Sequence, residues 1–305
     1  MMETVGVHNS MRAVFPAAGM DTRFLPATKA IPKEMLPLVD KPLIQYAVEE
    51  AYGSGISNVV VVTGRGKSAI EDHFDIGFEL EQRLRDHGRS DLVQDLRRFV
   101  DPLKIACVRQ LEPLGLGHAV LQAEPLVGGE ACAVLLADDV ILAQPSCLAQ
   151  LLEVHHKTSE SVIALMEVPL GDVSSYGIVR GEAAGGFDSA GVFRIRDVIE
   201  KPTLELAPSR LAVIGRYVLH PEVFNALRDL KPGRNGEIQL SDALQQVAQI
   251  RPVFGVQFSG RRFDAGSKLG FIKASMQIAL ERQDMASELM NYIRAIAASG
   301  VGSAS

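Results

Sequence analysis

The sequence predicts a doubly wound α/β layer, a parallel sheet covered by helices on both faces. Two observations carry that prediction: apolar runs of strand length recur through the first half, and stretches with helical spacing separate them. A third qualifies it, because the second half is turn-rich and mixed, which predicts an antiparallel portion.

Residues 1–10 show no period and read as a disordered leader. Val14–Ala17 begins the first buried strand, with Gly19 and a polar cluster directly after it. Leu43–Ala51 has apolar positions at helical spacing, and Gly53 and Gly55 supply its stop. Asn58–Thr63 (NVVVVT) is the clearest strand, since four successive valines suit a parallel strand buried on both faces. Phe78–Phe99 reads as a long, highly charged helical stretch. Lys104–Gln110 and Ala131–Ala137 repeat the strand type, and His118–Ala123 opens a helix after a glycine-rich turn. Strands alternating with helices imply right-handed crossovers and a parallel sheet.

Ser161–Val168, Ile178–Arg180, Val192–Ile199 and Ala212–Leu219 read as the antiparallel portion, either an extension of the sheet or a small inserted subdomain. Pro221–Leu230 and Ile238–Ile250 read as helices and Val253–Phe258 as a final strand. From Ser267 to about Ala298 two helices follow, with Leu269, Ile272, Met276 and Leu280 on one face. The expected division is a leader over 1–10, an α/β domain over 11–266, and C-terminal helices with a frayed tail over 267–305.

Composition narrows the class. The 305 residues are 47% hydrophobic and 22% charged, which excludes a wholly disordered chain. Thirty-one Lys+Arg against 37 Asp+Glu leave a net charge of −6, which argues against a nucleic-acid coat or a polybasic membrane binder. The three cysteines, Cys107, Cys132 and Cys147, form no C-x-x-C pair and fit a reducing, cytoplasmic setting. No apolar stretch approaches the ~20 residues of a membrane span.

In a doubly wound sheet, ligands bind beyond the carboxyl ends of the strands, and four of those ends carry unusual residues. After the first strand comes Ala17-Ala18-Gly19-Met20-Asp21-Thr22-Arg23, a small-residue turn whose N–H groups can approach a phosphate while Arg23 offers a cationic fork. Lys33, ten residues beyond, adds a point charge; an ordinary loop with solvated cations is the bland alternative. No G-x-G-x-x-G is present, so nicotinamide binding loses its main support.

The second end runs from Gln110 through Gly115 and Gly117 to His118. A Gln amide can read the imide edge of a pyrimidine, and glycines let a flat base lie on main chain; a surface turn capping a helix is the alternative. His118 reads as a packed polar histidine rather than a ligand.

Asp138-Asp139 form the third end. Paired carboxylates past a buried strand need a cation, and Mg²⁺ bridged to phosphates would supply one, unless one Asp simply caps the next helix. The fourth is Asp264 in Arg262-Phe263-Asp264-Ala265-Gly266, a second metal ligand or an N-cap. Glu200-Lys201 pairs a sugar-hydroxyl acceptor with a phosphate grip, or is a surface ion pair; Gly177 and Gly215 allow a sugar ring near the backbone.

In this order, these residues resemble the bacterial UTP–glucose-1-phosphate uridylyltransferase family of sugar nucleotidyltransferases, from about Arg12 to about Arg282. Thr22–Pro37 (TRFLPATKAIPKEMLP) is the most specific segment; Val39–Tyr46, Leu114–Val120, Glu200-Lys201-Pro202, Gly215-Arg216-Tyr217 and Gly236–Leu240 reinforce it. The resemblance implies a Rossmann-like nucleotidyltransferase core with a mostly parallel central sheet, a small antiparallel portion and C-terminal helices. It implies that UTP and glucose 1-phosphate give UDP-glucose and pyrophosphate with Mg²⁺, in a homo-oligomer, dimer or tetramer, with no nucleic-acid or membrane partner. By position, Ala17, Ala18 and Gly19 would lie against the nucleotide and Gln110 and Gly115 would read uracil. Arg23 and Lys33 would hold the departing phosphates, and Asp138 and Asp264 the metal. Gly177, Glu200 and Gly215 would orient glucose, and Lys201 its phosphate.

One departure matters. The family pattern is G-x-G-T-R, and here Asp21 stands at the second glycine, bringing a carboxylate to a turn built for triphosphate. A catalytically impaired sugar-nucleotide-binding regulatory homologue is therefore the alternative reading. Thymidine substrates are a third, disfavoured by the Lys29–Lys33 spacing and the Leu114–Ala119 turn.

Overall fold

The computed structural model describes residues 10–20, 22–187, 191–233 and 236–299. Residues 1–9 of the expected leader, Asp21, the tip of the turn-rich segment at 188–190 and the tail from 300 lie outside the described residues.

Among the described residues thirteen strands form: β1 (Arg12–Pro16), β2 (Pro37–Leu38), β3 (Lys41–Pro42), β4 (Asn58–Thr63), β5 (Lys104–Arg109), β6 (Cys132–Leu135), β7 (Asp139–Leu142), β8 (Ser161–Glu167), β9 (Gly177–Ala183), β10 (Val192–Glu200), β11 (Leu211–Leu219), β12 (Val253–Gln257) and β13 (Arg261–Asp264). Nine make one sheet in the order β5-β4-β1-β6-β11-β8-β12-β10-β9. β5, β4, β1 and β6 pair in parallel; β4, β1 and β6 are the buried apolar runs, while β5 at the sheet edge is half-exposed. β11 runs against β6 and β8, and β10 against β12 and β9, while β12 and β8 are parallel. Only β11 and β10 oppose the rest, yet each reverses both of its neighbour pairings. The antiparallel part is thus an extension of the sheet, and larger than the small portion expected.

Side-chain alternation along the strands feeds two apolar layers. Ala13 and Phe15 of β1 face the helices Leu43–Gly53, Ser68–Phe74 and Cys147–Thr158; Val14 faces Leu116–Gln122, Glu222–Asp229 and Leu240–Ile250. The expected Phe78–Phe99 helix is two helices, Phe78–Asp86 and Ser90–Val100, because Gly88 adopts a left-handed φ of 73° and stops the first.

The helix Cys147–Thr158 was not legible as such. Ser146 caps it by accepting a bond from the Ala149 N–H at 3.1 Å. Nor was the ribbon β7–β13, whose antiparallel register sets Asp139 opposite Asp264. That pairing brings the third and fourth strand ends of the sequence together.

Near the C-terminus, the helix Lys268–Glu281 buries Ala274 and Ile278 against Leu38, Leu43, Val140 and Ala265. The face that carries the larger apolar residues is a different one: Leu269, Ile272 and Met276 are exposed and Leu280 is half-buried. The closing helix Ala286–Ala298 has no buried residue. No helix among the described residues is long and apolar enough to cross a membrane.

A buried arginine pins the sheet to its covering layer. Arg216 on β11 donates through Nε to Glu50 Oε2 at 2.9 Å and through Nη1 to Leu136 O at 2.9 Å, and through Nη2 to Asp139 O at 2.8 Å. Glu50 also accepts from the Leu148 N–H at 2.9 Å. Breaking one side of such a pair strands the other charge in a dry interior, so Arg216→Met should cost about 3–5 kcal/mol. Urea unfolding of the two proteins measures this directly.

Candidate active site

The strand ends open into one cavity of about 1210 Å³. Arg23, Lys33, Lys201, Ala18, Gly19, Gln110, Gly115, Gly177, Glu200, Gly215, Asp138 and Asp264 all line it. Ala17 alone among the expected residues does not. It is buried beneath the turn, with its N–H bonded to Val62 O at 2.8 Å, and shapes the turn from below.

Arg23 sits in the 3₁₀ turn Thr22–Phe24, whose Phe24 packs edge-on against Phe271 of the C-terminal helix with ring centroids 5.6 Å apart. Lys33 begins a second 3₁₀ turn, Lys33–Met35. Its neighbour Glu34 is buried and accepts from Lys67 Nζ at 2.9 Å, which anchors that turn to the loop after β4. Lys67 escaped the sequence reading, although the glycines of Gly64-Arg65-Gly66-Lys67 behind the NVVVVT strand were a signal of a functional turn.

After β5, the Gln110 amide donates to Gly115 O at 3.2 Å and lies 2.9 Å from His118 Nδ1. Gln110 and His118 thus brace the loop, in keeping with a packed histidine. Gly115 has a φ of 95°, and a Cβ there would stand 2.9 Å from Ile238 O, so the loop requires glycine.

The carboxylates separate by role. Asp139 is buried: its Oδ2 accepts from the Gly215 N–H at 2.7 Å and its Oδ1 from Arg262 Nε at 2.6 Å. Burial pushes its carboxyl upward, against the pull of Arg262. Asp138 faces the cavity instead. Burial raises its carboxyl too, but Lys33, at 2.9 Å, and Arg23 outweigh that and hold it below the usual range.

Asp264 Oδ1 accepts from the Gly266 N–H at 3.1 Å. The N-cap of the following helix is Ser267, so Asp264 does not serve there. A Cβ built on Gly266 would lie 2.9 Å from Asp138 Oδ2 and 3.1 Å from Asp264 Oδ1, which shows the two carboxylates converging on one spot. No group of three or more His, Cys, Asp or Glu able to hold a metal occurs among the described residues. Two convergent carboxylates suit a hard divalent ion that completes its shell with water and phosphate oxygens.

At the end of β10, Glu200 Oε2 accepts from Ser241 Oγ at 2.9 Å, and Lys201 Nζ lies 3.4 Å from Glu200 Oε1. Lys201 adopts a φ of 43°, uncommon for a residue with a Cβ, and its N–H donates to Tyr176 O at 3.0 Å. The sequence pairs Asp139 with Asp138 but gives no individual role to it, to Arg262 or to Tyr176, and all three line the cavity.

An α/β fold with cation-bearing turns and paired acids at its strand ends suits a nucleotide-handling enzyme. Residues 12–281 match the nucleotidyl transferase family. The chain is 47% identical over 282 residues to the UTP–glucose-1-phosphate uridylyltransferase YngB of Bacillus subtilis, covering 92% of this chain and 94% of that one. A UDP-glucose pyrophosphorylase solved with UDP-glucose superposes with a TM-score of 0.80 at 46% identity, over 89% of this chain and 99% of the other. A UTP-bound UGPase from Acinetobacter baumannii does so with a TM-score of 0.84 at 37% identity, over 93% and 98%. The chain belongs to the UTP–glucose-1-phosphate uridylyltransferase family of nucleotidyl transferases.

The close approach at Gly215 is testable. A Cβ there would lie 2.5 Å from Asp139 Oδ2 and 2.7 Å from Leu136 Cβ. Gly215→Ala should destabilise the fold by about 1–3 kcal/mol, the usual cost of overpacking, measured as a lower midpoint of urea unfolding.

Proposed function

We propose that the protein transfers a uridylyl group from UTP to glucose 1-phosphate, releasing pyrophosphate, with Mg²⁺ as the divalent ion. The observation that carries the reading is the convergence of Arg23, Lys33, Lys201, Asp138 and Asp264 on one cavity. The attacking phosphate oxygen is already ionised at neutral pH, so no general base is required. What remains is to align two anions and to balance charge at the α-phosphorus and on the departing pyrophosphate.

Each residue has a place in that task. Arg23 and Lys33 hold the β- and γ-phosphates, and Ala18, Gly19, Gln110 and Gly115 the nucleoside. Glu200 accepts from sugar hydroxyls beside Gly177 and Gly215, and Lys201 grips the sugar phosphate. Its backbone, fixed to Tyr176 O, aims the ammonium before substrate arrives. Asp138 and Asp264 would hold Mg²⁺, which when bound neutralises phosphate charge. Lys33 now rests on Asp138 and is close enough to pass to a triphosphate once that carboxylate has another cation.

We place the protein in the cytoplasm, its catalytic body spanning 11–266 and its C-terminal helices 267–305. The exposed Leu269, Ile272, Met276, Tyr292 and Ile296 on those helices favour a homo-oligomer.

Pyrophosphate release from UTP plus glucose 1-phosphate tests the activity; binding without turnover would instead support the regulatory reading. Lys201→Ala should lower kcat by about 100- to 1000-fold, the scale of one lost preorganised charge stabiliser, while melting temperature holds. Near-normal turnover removes Lys201 from the mechanism. Asp21→Gly should tighten UTP binding or raise turnover, and equal kinetic constants in the two proteins would refute any cost of Asp21.

A further inference from the structure

Arg262 has no role in substrate binding as described so far, yet it occupies a junction. It lies on β13, two residues before Asp264 and so on the same side of the strand. Its Nε donates to Asp139 Oδ1 at 2.6 Å and its Nη1 to the Tyr176 hydroxyl at 2.8 Å, with the guanidinium carbon 5.2 Å from the centre of the Tyr176 ring. The side chain is 9% exposed.

Each of these partners reaches a different part of the proposed sugar pocket. Asp139 binds the Gly215 N–H at 2.7 Å. Tyr176 precedes Gly177, and its carbonyl accepts the Lys201 N–H at 3.0 Å. Gly177, Lys201 and Gly215 come from three separate strands: Gly177 opens β9, Lys201 follows β10, and Gly215 lies in the middle of β11. Through Asp139 and Tyr176, one planar guanidinium connects all three to the strand that carries Asp264.

We propose that Arg262, acting through Tyr176 and Asp139, is a positioning residue for the glucose-1-phosphate half of the site. The proposal rests on the uridylyl-transfer reading and deepens it. The nucleotide side is held by other contacts: Gln110 rests on His118 and on Gly115 O, Ile238 bonds Leu114 and Gly117, and Lys33 pairs with Asp138. Lysine cannot replace the guanidinium, because one ammonium cannot present two in-plane donors while stacking on the tyrosine ring. Neutralising Asp139 alone would predict a stability loss that both substrates feel equally. A positioning role predicts that the sugar phosphate feels it alone.

Steady-state kinetics of Tyr176→Phe and Arg262→Lys, each substrate varied in turn, separate the two. Misplacement by a fraction of an ångström should raise KM for glucose 1-phosphate about tenfold in Arg262→Lys, with KM for UTP within about twofold. Tyr176→Phe, which removes only the hydroxyl, should show the same split in smaller measure and add little in the Arg262→Lys background. Equal movement of both KM values, or no movement in Tyr176→Phe, overturns the proposal. Should Arg262→Lys fail to fold, Tyr176→Phe alone decides it. Wild-type protein without activity would sink the uridylyl-transfer reading itself. An active wild type with unsplit variants sinks only the role of Arg262.

Discussion

Three carboxylates crowd one edge of the sheet, and the local structure is organised around bringing cations to them there. Asp138, Asp139 and Asp264 meet because β7 pairs with β13. Unit charges 4 Å apart repel by about 4 kcal/mol at an effective dielectric of 20, so the arrangement survives only with cations built in. Arg262 meets Asp139, Lys33 meets Asp138, and Arg216 braces the backbone between them against Glu50. These contacts span nearly the whole sequence, which ties the site to the integrity of the fold.

The cations divide by rigidity. Arg216 and Arg262 present forked donors to several fixed acceptors and are spent on architecture. Arg23, Lys33 and Lys201 sit on turns at the cavity wall. A site that must receive two anions needs both kinds, one to set the frame and one to follow the ligands. Overall charge says nothing of this. The chain carries −6, yet its cleft gathers cations, because strand ends rather than composition decide where they meet.

How much the sequence revealed follows from what each feature depends on. Asn58–Thr63 was legible to the residue because its valines are buried on both faces and nothing distant is needed to make them a strand. Twelve of the expected residues line the cavity because they lie on strands of this sheet or on the turns beside them. Burial geometry was not. Whether Ala17 faces the cavity or lies under it depends on its bond to Val62, and the left-handed stop at Gly88 on a single φ. The ribbon β7–β13 is a pairing between distant short segments, which no local period announces. Arg262 was hidden for the same reason, since its meaning lies in Asp139 and Tyr176, remote in sequence. The apolar positions of Lys268–Glu281 were correctly seen, but small Ala274 and Ala279 with Ile278 make the buried face, leaving the larger side chains outward.

The contrast between Asp138 and Asp139 shows how the backbone assigns chemistry to identical residues. β7 begins at Asp139, and consecutive residues at a strand's edge point to opposite sides. Asp139 therefore turns inward to Gly215 and Arg262, and Asp138 outward to Lys33 and the cavity. A slip of one residue would exchange them, burying the carboxylate that faces ligands and exposing the one that holds β11 in place. The register against β13, with Asp139 opposite Asp264, forbids that slip. The two acids are chemically alike, and the pairing of four residues with four others makes one a strut and leaves the other to meet a cation.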